Sequence, residues 1–215
     1  MKRISINKFS ELIDNDISWR KKELSFLKTT VEKYKDNQFK EKTFIRSSYP
    51  IIYAHWEGFI KNASIYYLKY VASQNLKYSD ISIELLSLAL KSKLNEVVDS
   101  NRTQVFLKTT DFILNKLDYR CKIPFDIFID TESNLNSSVL KNITMNVGIV
   151  FSDFETRANW IDLSLLKNRN KIAHGEDYEI KYEYFLDDLE MTRDLLELYR
   201  NLIENAACNK AYLRT

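Results

Sequence analysis

An arginine and a histidine separated by four residues, Arg169 and His174, bring together a permanent positive charge and a group that exchanges protons near neutral pH. The pair suits chemistry on phosphate esters, because a guanidinium grips phosphoryl oxygens in a planar fork and an imidazole takes up or delivers a proton. Asn170 stands beside the arginine and Gly175 follows the histidine. His174 is one of only two histidines in 215 residues. The spacing alone says little, since ten arginines make such a pattern common by composition, and on that ground alone a histidine capping a helix beside a surface arginine is the better account.

A helix must hold these residues. Asp162 is an expected N-cap, Leu163, Leu165, Leu166 and Ile172 form an apolar stripe, and Gly175 suits the left-handed position that ends a helix. His174 then falls in the last turn, where the negative end of the helix dipole favours an imidazolium. Five residues put His174 about 140° around the axis from Arg169 and about 7.5 Å along it. The two do not share a face, so a working constellation is easier to complete across an interface between two copies, and a homodimer is expected.

Composition narrows the scaffold. Three glycines and two prolines are too few for the turns of an all-β protein and point to long helices with few connections. Hydrophobic residues at 45% and aromatics at 13% are enough for a sizeable core in one domain spanning 1–215. No 18-residue apolar run and no apolar leader is present, so a soluble cytoplasmic protein without a membrane segment is expected. Cys121 and Cys208 have neither metal-ligand spacing nor a disulfide framework, and no metal or cofactor is expected. Residues 1–48 carry 12 Lys and Arg against 7 Asp and Glu, and residues 176–215 carry 5 against 10. That asymmetry excludes a broadly basic coat for nucleic acid but leaves room for a local basic groove.

Along the chain, Phe9, Ile13, Ile17, Leu24, Leu27 and Val31 predict a helix over 6–34, which Asp14, Asn15 and Asp16 could divide. Its Arg20, Lys21 and Lys22 read as a solvated face. A second long helix over 39–73 contains Pro50, where a kink or a restart is expected. Gly58 in its middle costs about 1 kcal/mol against alanine, a cost that close packing, for instance by the Arg169 helix, would explain. Further helices are expected over 80–98, capped by Ser79 or Asp80, over 103–117, over 137–147, over 162–174 and over 184–207, with an extended segment at 123–130 and a loop at 148–158. The fold class is all-α, a bundle of six to seven helices with long antiparallel members.

Two blocks resemble the HEPN superfamily, and within it the HEPN-like nucleases of prokaryotic defence and toxin-antitoxin loci. One is Arg169, Asn170, Lys171, Ile172, Ala173, His174 and Gly175, which matches an arginine, a polar residue and an Ala-His-Gly ending; the other is Ala54, His55, Trp56, Glu57, Gly58 and Phe59. The resemblance implies an all-α homodimer whose two motif helices face a shared cleft and a metal-independent endoribonuclease, a toxin or antiviral effector restrained by an antitoxin or regulatory protein. It implies His174 as general acid or base and Arg169 as the stabiliser of charge on the phosphoryl oxygens. Asn170 would orient the phosphate or the histidine. Glu57 would hold Arg169 or position His174, and His55 reads as a packed residue more readily than as a second proton-transfer group. The alternative is a noncatalytic HEPN module that binds RNA, a nucleotide or a partner protein in the same cleft. No tyrosine lies between Arg169 and His174, so the silencing of some toxin members by nucleotide transfer to a motif tyrosine has no acceptor there.

Overall fold

The computed structural model describes residues 2–100, 102–123, 125 and 129–214. Among them the regular structure is helical: α1 (Ile6–Lys33), α2 (Gln38–Ala72), α3 (Ile83–Val98), α4 (Thr103–Asn115), α5 (Ser137–Asn146), α6 (Ser152–Glu155), α7 (Ala158–Trp160), a π-helical stretch (Ile161–Leu166), α8 (Lys167–Ala173) and α9 (Tyr182–Cys208). The expected all-α bundle is what forms. The short α6 and α7 occupy the segment expected to be loop. Of the extended segment at 123–130, four positions lie outside the described residues, while Ile123 and Ile129 are buried.

The core lies where α1, α2 and α9 pack on one another. Helix α1 contributes Phe9, Ile13, Ile17, Leu24 and Val31 at spacings of four and seven, and α9 contributes Phe185, Leu189, Leu196, Tyr199 and Ile203 at spacings of three, four and seven. Each such side chain contributes about 1.5–3 kcal/mol when fully buried. Side-chain caps start the helices: Ser5 accepts from the Lys8 amide, Asn37 from Lys40 and Asn136 from Val139. The third helix is capped by Ser82, later than expected, because Asp80 instead accepts from the Lys77 amide inside the preceding turn.

Helix α1 does not divide at Asp16. That carboxylate accepts from Arg20 Nε at 3.0 Å and from Asn62 Nδ2 at 3.2 Å, so a residue read as a breaker is spent on a buried ion pair and a tie to α2. Of the basic run expected as a solvated face, Lys22 is exposed, but Arg20 and Lys21 are engaged. Arg20 is 4% exposed and donates to the His55 carbonyl as well, while Lys21 pairs with Glu197 of α9. Arg20 also explains Gly58: a Cβ there would stand 2.9 Å from Arg20 Nη1, so the close neighbour is α1 and not the Arg169 helix. Helix α2 does not restart at Pro50 either. Pro50 is exposed, and buried Tyr49, Ile52 and Tyr53 hold the backbone on both sides.

Candidate active site

The backbone is helical from Ala158 through Ala173, and the π-helical stretch changes what Asp162 does. Expected as the N-cap of this helix, Asp162 lies inside it and caps a different one. Its carboxylate accepts from the Ser137 amide at 2.7 Å and from the Ser137 hydroxyl at 2.6 Å, at the first residue of α5. The π winding adds a residue to the turn and re-aims the side chains that follow, a device common at functional sites.

One turn on, Ser164 donates to Asp188 of α9 at 2.7 Å, and Trp160 Nε1 donates to the same carboxylate oxygen at 2.7 Å. The other oxygen accepts from the Tyr49 hydroxyl of α2 at 2.6 Å, with Asn168 Nδ2 at 3.5 Å. Asp188 is 3% exposed, and its charge is met by donors from four elements. Burial, with the Asp188 charge second, pushes the Tyr49 hydroxyl far above the ordinary tyrosine range and keeps it a donor. Sequence reading missed Asp188, although a carboxylate inside the apolar register of α9, between Phe185 and Leu189, was a visible signal.

The helix ends as expected. Gly175 has φ +77°, its amide donates to the Ile172 carbonyl, and the Glu176 amide donates back to Lys171. His174 sits at the cap, exposed, with Asn170 one turn earlier on the same outward face. The chain beyond is pinned by Arg46 of α2, whose Nη1 donates to the carbonyls of Glu176 at 2.7 Å and Tyr178 at 2.9 Å. Arg46 was not among the residues singled out from the sequence.

Arg169 leaves the helix on the other side. Its guanidinium lies over the ring of Tyr53 at 3.9 Å, and Nη2 donates to the Ser133 carbonyl at 2.9 Å. Among the described residues it makes no ion pair, and its buried Nε has no acceptor. The charge is therefore supported by neutral groups and not neutralised. No hydrogen bond joins Arg169 to His174 among the described residues.

Glu57, one turn along α2 from Tyr53, does not hold Arg169. It accepts the hydroxyl of Thr131, at the start of the segment Thr131–Leu135 that passes over Arg169. That segment is tied down again at its end, where the Leu135 amide donates to Tyr53 Oη and Trp56 Nε1 reaches the Leu135 carbonyl. Between the ties, Glu132 and Ser133 both take left-handed backbone conformations, with φ of +53° and +57°. His55 faces the opposite way, toward α1. It is 2% exposed, packed edge-on against Trp19, with Nε2 at 2.8 Å from the Glu23 carboxylate but off the line of a good hydrogen bond. Burial lowers its pKa, and the Glu23 charge opposes that shift. Arg169, His174 and Asn170 thus share one short helix, Glu57 reaches the site through Thr131, and His55 stands apart.

Among the described residues no group of three or more His, Cys, Asp and Glu is placed to hold a metal ion, and no helix is long and apolar enough to cross a membrane. A family model described as HEPN_MAE_28990-like HEPN matches residues 9–212. No curated protein and no solved structure matches the chain.

Proposed function

Since the chain belongs to the HEPN_MAE_28990-like HEPN family, we propose that it is a metal-independent endoribonuclease in which Arg169 and His174 act on one phosphodiester. The observation that carries this reading is the state of Arg169. A half-buried guanidinium held by a ring and a carbonyl, with no carboxylate paired to it among the described residues, keeps its full charge for an anionic ligand. His174, exposed at the helix end, is open to a ligand held between two copies of the chain.

In the reaction, His174 takes the proton from a ribose 2′-hydroxyl as its oxygen attacks the adjacent phosphorus. The bond from phosphorus to the 5′-oxygen breaks, that oxygen receives a proton, and the products end in a 2′,3′-cyclic phosphate and a 5′-hydroxyl. Arg169 stabilises the charge that grows on the phosphoryl oxygens, and Asn170 orients the phosphate or the imidazole. Because Arg169 and His174 leave their helix about 140° apart, the working site is formed by two copies of the chain, each motif helix facing the other. Residues 1–215 act as one domain, as a cytoplasmic toxin or antiviral effector restrained by a regulatory protein.

The test is cleavage of a defined RNA by the purified protein and by His174→Ala. Cleavage that leaves 2′,3′-cyclic phosphate ends, survives EDTA and is lost in the variant supports the reading. Equal inertness of both proteins sinks it and leaves a noncatalytic module that binds RNA, a nucleotide or a protein.

A further inference from the structure

Resting on the nuclease reading, we propose that Tyr53 is the positioning residue for Arg169, and that the segment Thr131–Leu135 is the strap that holds ring and guanidinium in register. Three observations converge on it. The Tyr53 ring is 4% exposed and lies 3.9 Å beneath the guanidinium, so it fixes the plane of the fork. The Ser133 carbonyl takes one Nη2 hydrogen at 2.9 Å and fixes rotation within that plane. Tyr53 Oη in turn accepts the Leu135 amide, so one side chain supports the arginine from below and anchors the strap that meets it from the side.

The strap is built for this place. Its first residue is tied to Glu57 and its last to Tyr53 and Trp56, all within four residues of α2. Between them Glu132 and Ser133 accept left-handed backbone that non-glycine residues avoid, and the result is a carbonyl turned onto Arg169. A neutral platform serves a phosphate-binding arginine better than a carboxylate would, since it directs the fork without cancelling its charge. Burial raises the Tyr53 pKa and keeps the platform uncharged near neutral pH. Glu57 contributes at one remove, through Thr131.

A double-mutant cycle tests the assignment. Tyr53→Leu removes the ring and is expected to lower kcat roughly 10- to 100-fold with little change in KM, as misplacement of a catalytic group does. Tyr53→Phe keeps the ring but frees the Leu135 amide, so its kcat should fall between those of the wild type and Tyr53→Leu. In an Arg169→Ala background, Tyr53→Leu should cost less than about 2-fold more, because the residue it positions is gone. The shape of the pH profile of kcat should stay as in the wild type, the proton-transfer group being untouched. Losses that multiply in the double variant overturn the proposal and leave the nuclease reading standing. Should the wild type not cleave RNA, the same cycle is run on the Kd of a 2′-O-methyl RNA oligonucleotide. Non-additive losses there support the positioning role while the nuclease reading fails, and additive losses, or binding indifferent to Arg169→Ala, overturn it. Tyr53→Met stands in if Tyr53→Leu does not fold by circular dichroism.

Discussion

Ser164 donates its hydroxyl to Asp188 at 2.7 Å, and through this contact the helix that carries Arg169 and His174 is fastened to α9, the 27-residue helix behind it. The same carboxylate takes Trp160 and Tyr49, so one buried charge sets the pose of the motif helix against both α2 and α9. Asp188→Ala removes the acceptor for all of them and leaves buried donors unpaired. It should destabilise the protein by about 1–3 kcal/mol for each buried donor left unsatisfied, read as a lower midpoint in urea. Asp188→Asn keeps the shape and should cost less. A midpoint unchanged in Asp188→Ala would mean that the network does not carry the motif helix.

Arg169 offers the opposite case. It pairs with no carboxylate among the described residues, so truncation strands no charge, and Arg169→Ala should lower the cleavage rate about 10²- to 10³-fold with a melting temperature within a few degrees of the wild type. Arg169→Lys should not rescue it. An ammonium keeps the charge but cannot lie flat on Tyr53 while donating in a fork to Ser133 and a phosphate. Single-turnover cleavage beside a thermal melt separates the two effects, and full activity in the lysine variant would contradict the planar role.

Local pattern revealed the long helices well, because period and capping are properties of neighbouring residues: Phe9 to Val31 and Phe185 to Ile203 announce their buried faces, and Gly175 its helix end. What stayed hidden depends on partners distant in sequence. Asp162 has the chemistry of a cap, and only the fold shows that it caps α5 from inside another helix. Gly58 could be read as costly but not explained, since Arg20 lies on another helix. Nothing in its own stretch marks Tyr53 as the ring beneath Arg169, which lies more than a hundred residues later. Asp188 alone among the missed residues broke the periodicity of its own helix.

Gly58→Ala sets helix propensity against packing. Alanine is favoured over glycine in mid-helix by about 1 kcal/mol, but its Cβ would stand 2.9 Å from Arg20 Nη1. Arg20 has little freedom to retreat, being held by both oxygens of Asp16 and by the His55 carbonyl. Overpacking of this kind costs about 1–3 kcal/mol, so the net change should be a loss of up to about 2 kcal/mol. A variant more stable than the wild type in urea would show that the guanidinium yields freely.

The buried histidine supplies a pH dependence with a definite sign. His55 is held below the ordinary histidine range, first by burial, with Glu23 pulling the other way and Arg20 adding to the depression. In the unfolded chain it titrates near about 6.5, so between that value and its lower folded pKa the unfolded state binds the extra proton. Its contribution is therefore complete above about pH 6.5 and is lost as pH falls through the folded value. The groups that face it are Trp19, Arg20, Glu23 and Asp16. His55→Gln removes only the imidazole titration, so the difference in unfolding free energy between wild type and variant isolates it. That difference should move against the wild type as pH is lowered from about 7 to about 5, by no more than about 1.4 kcal/mol per pH unit. Urea titrations across this range give the answer, and a difference that stays flat, or grows in favour of the wild type on acidification, would mean that Glu23 outweighs burial and that His55 is protonated in the folded protein.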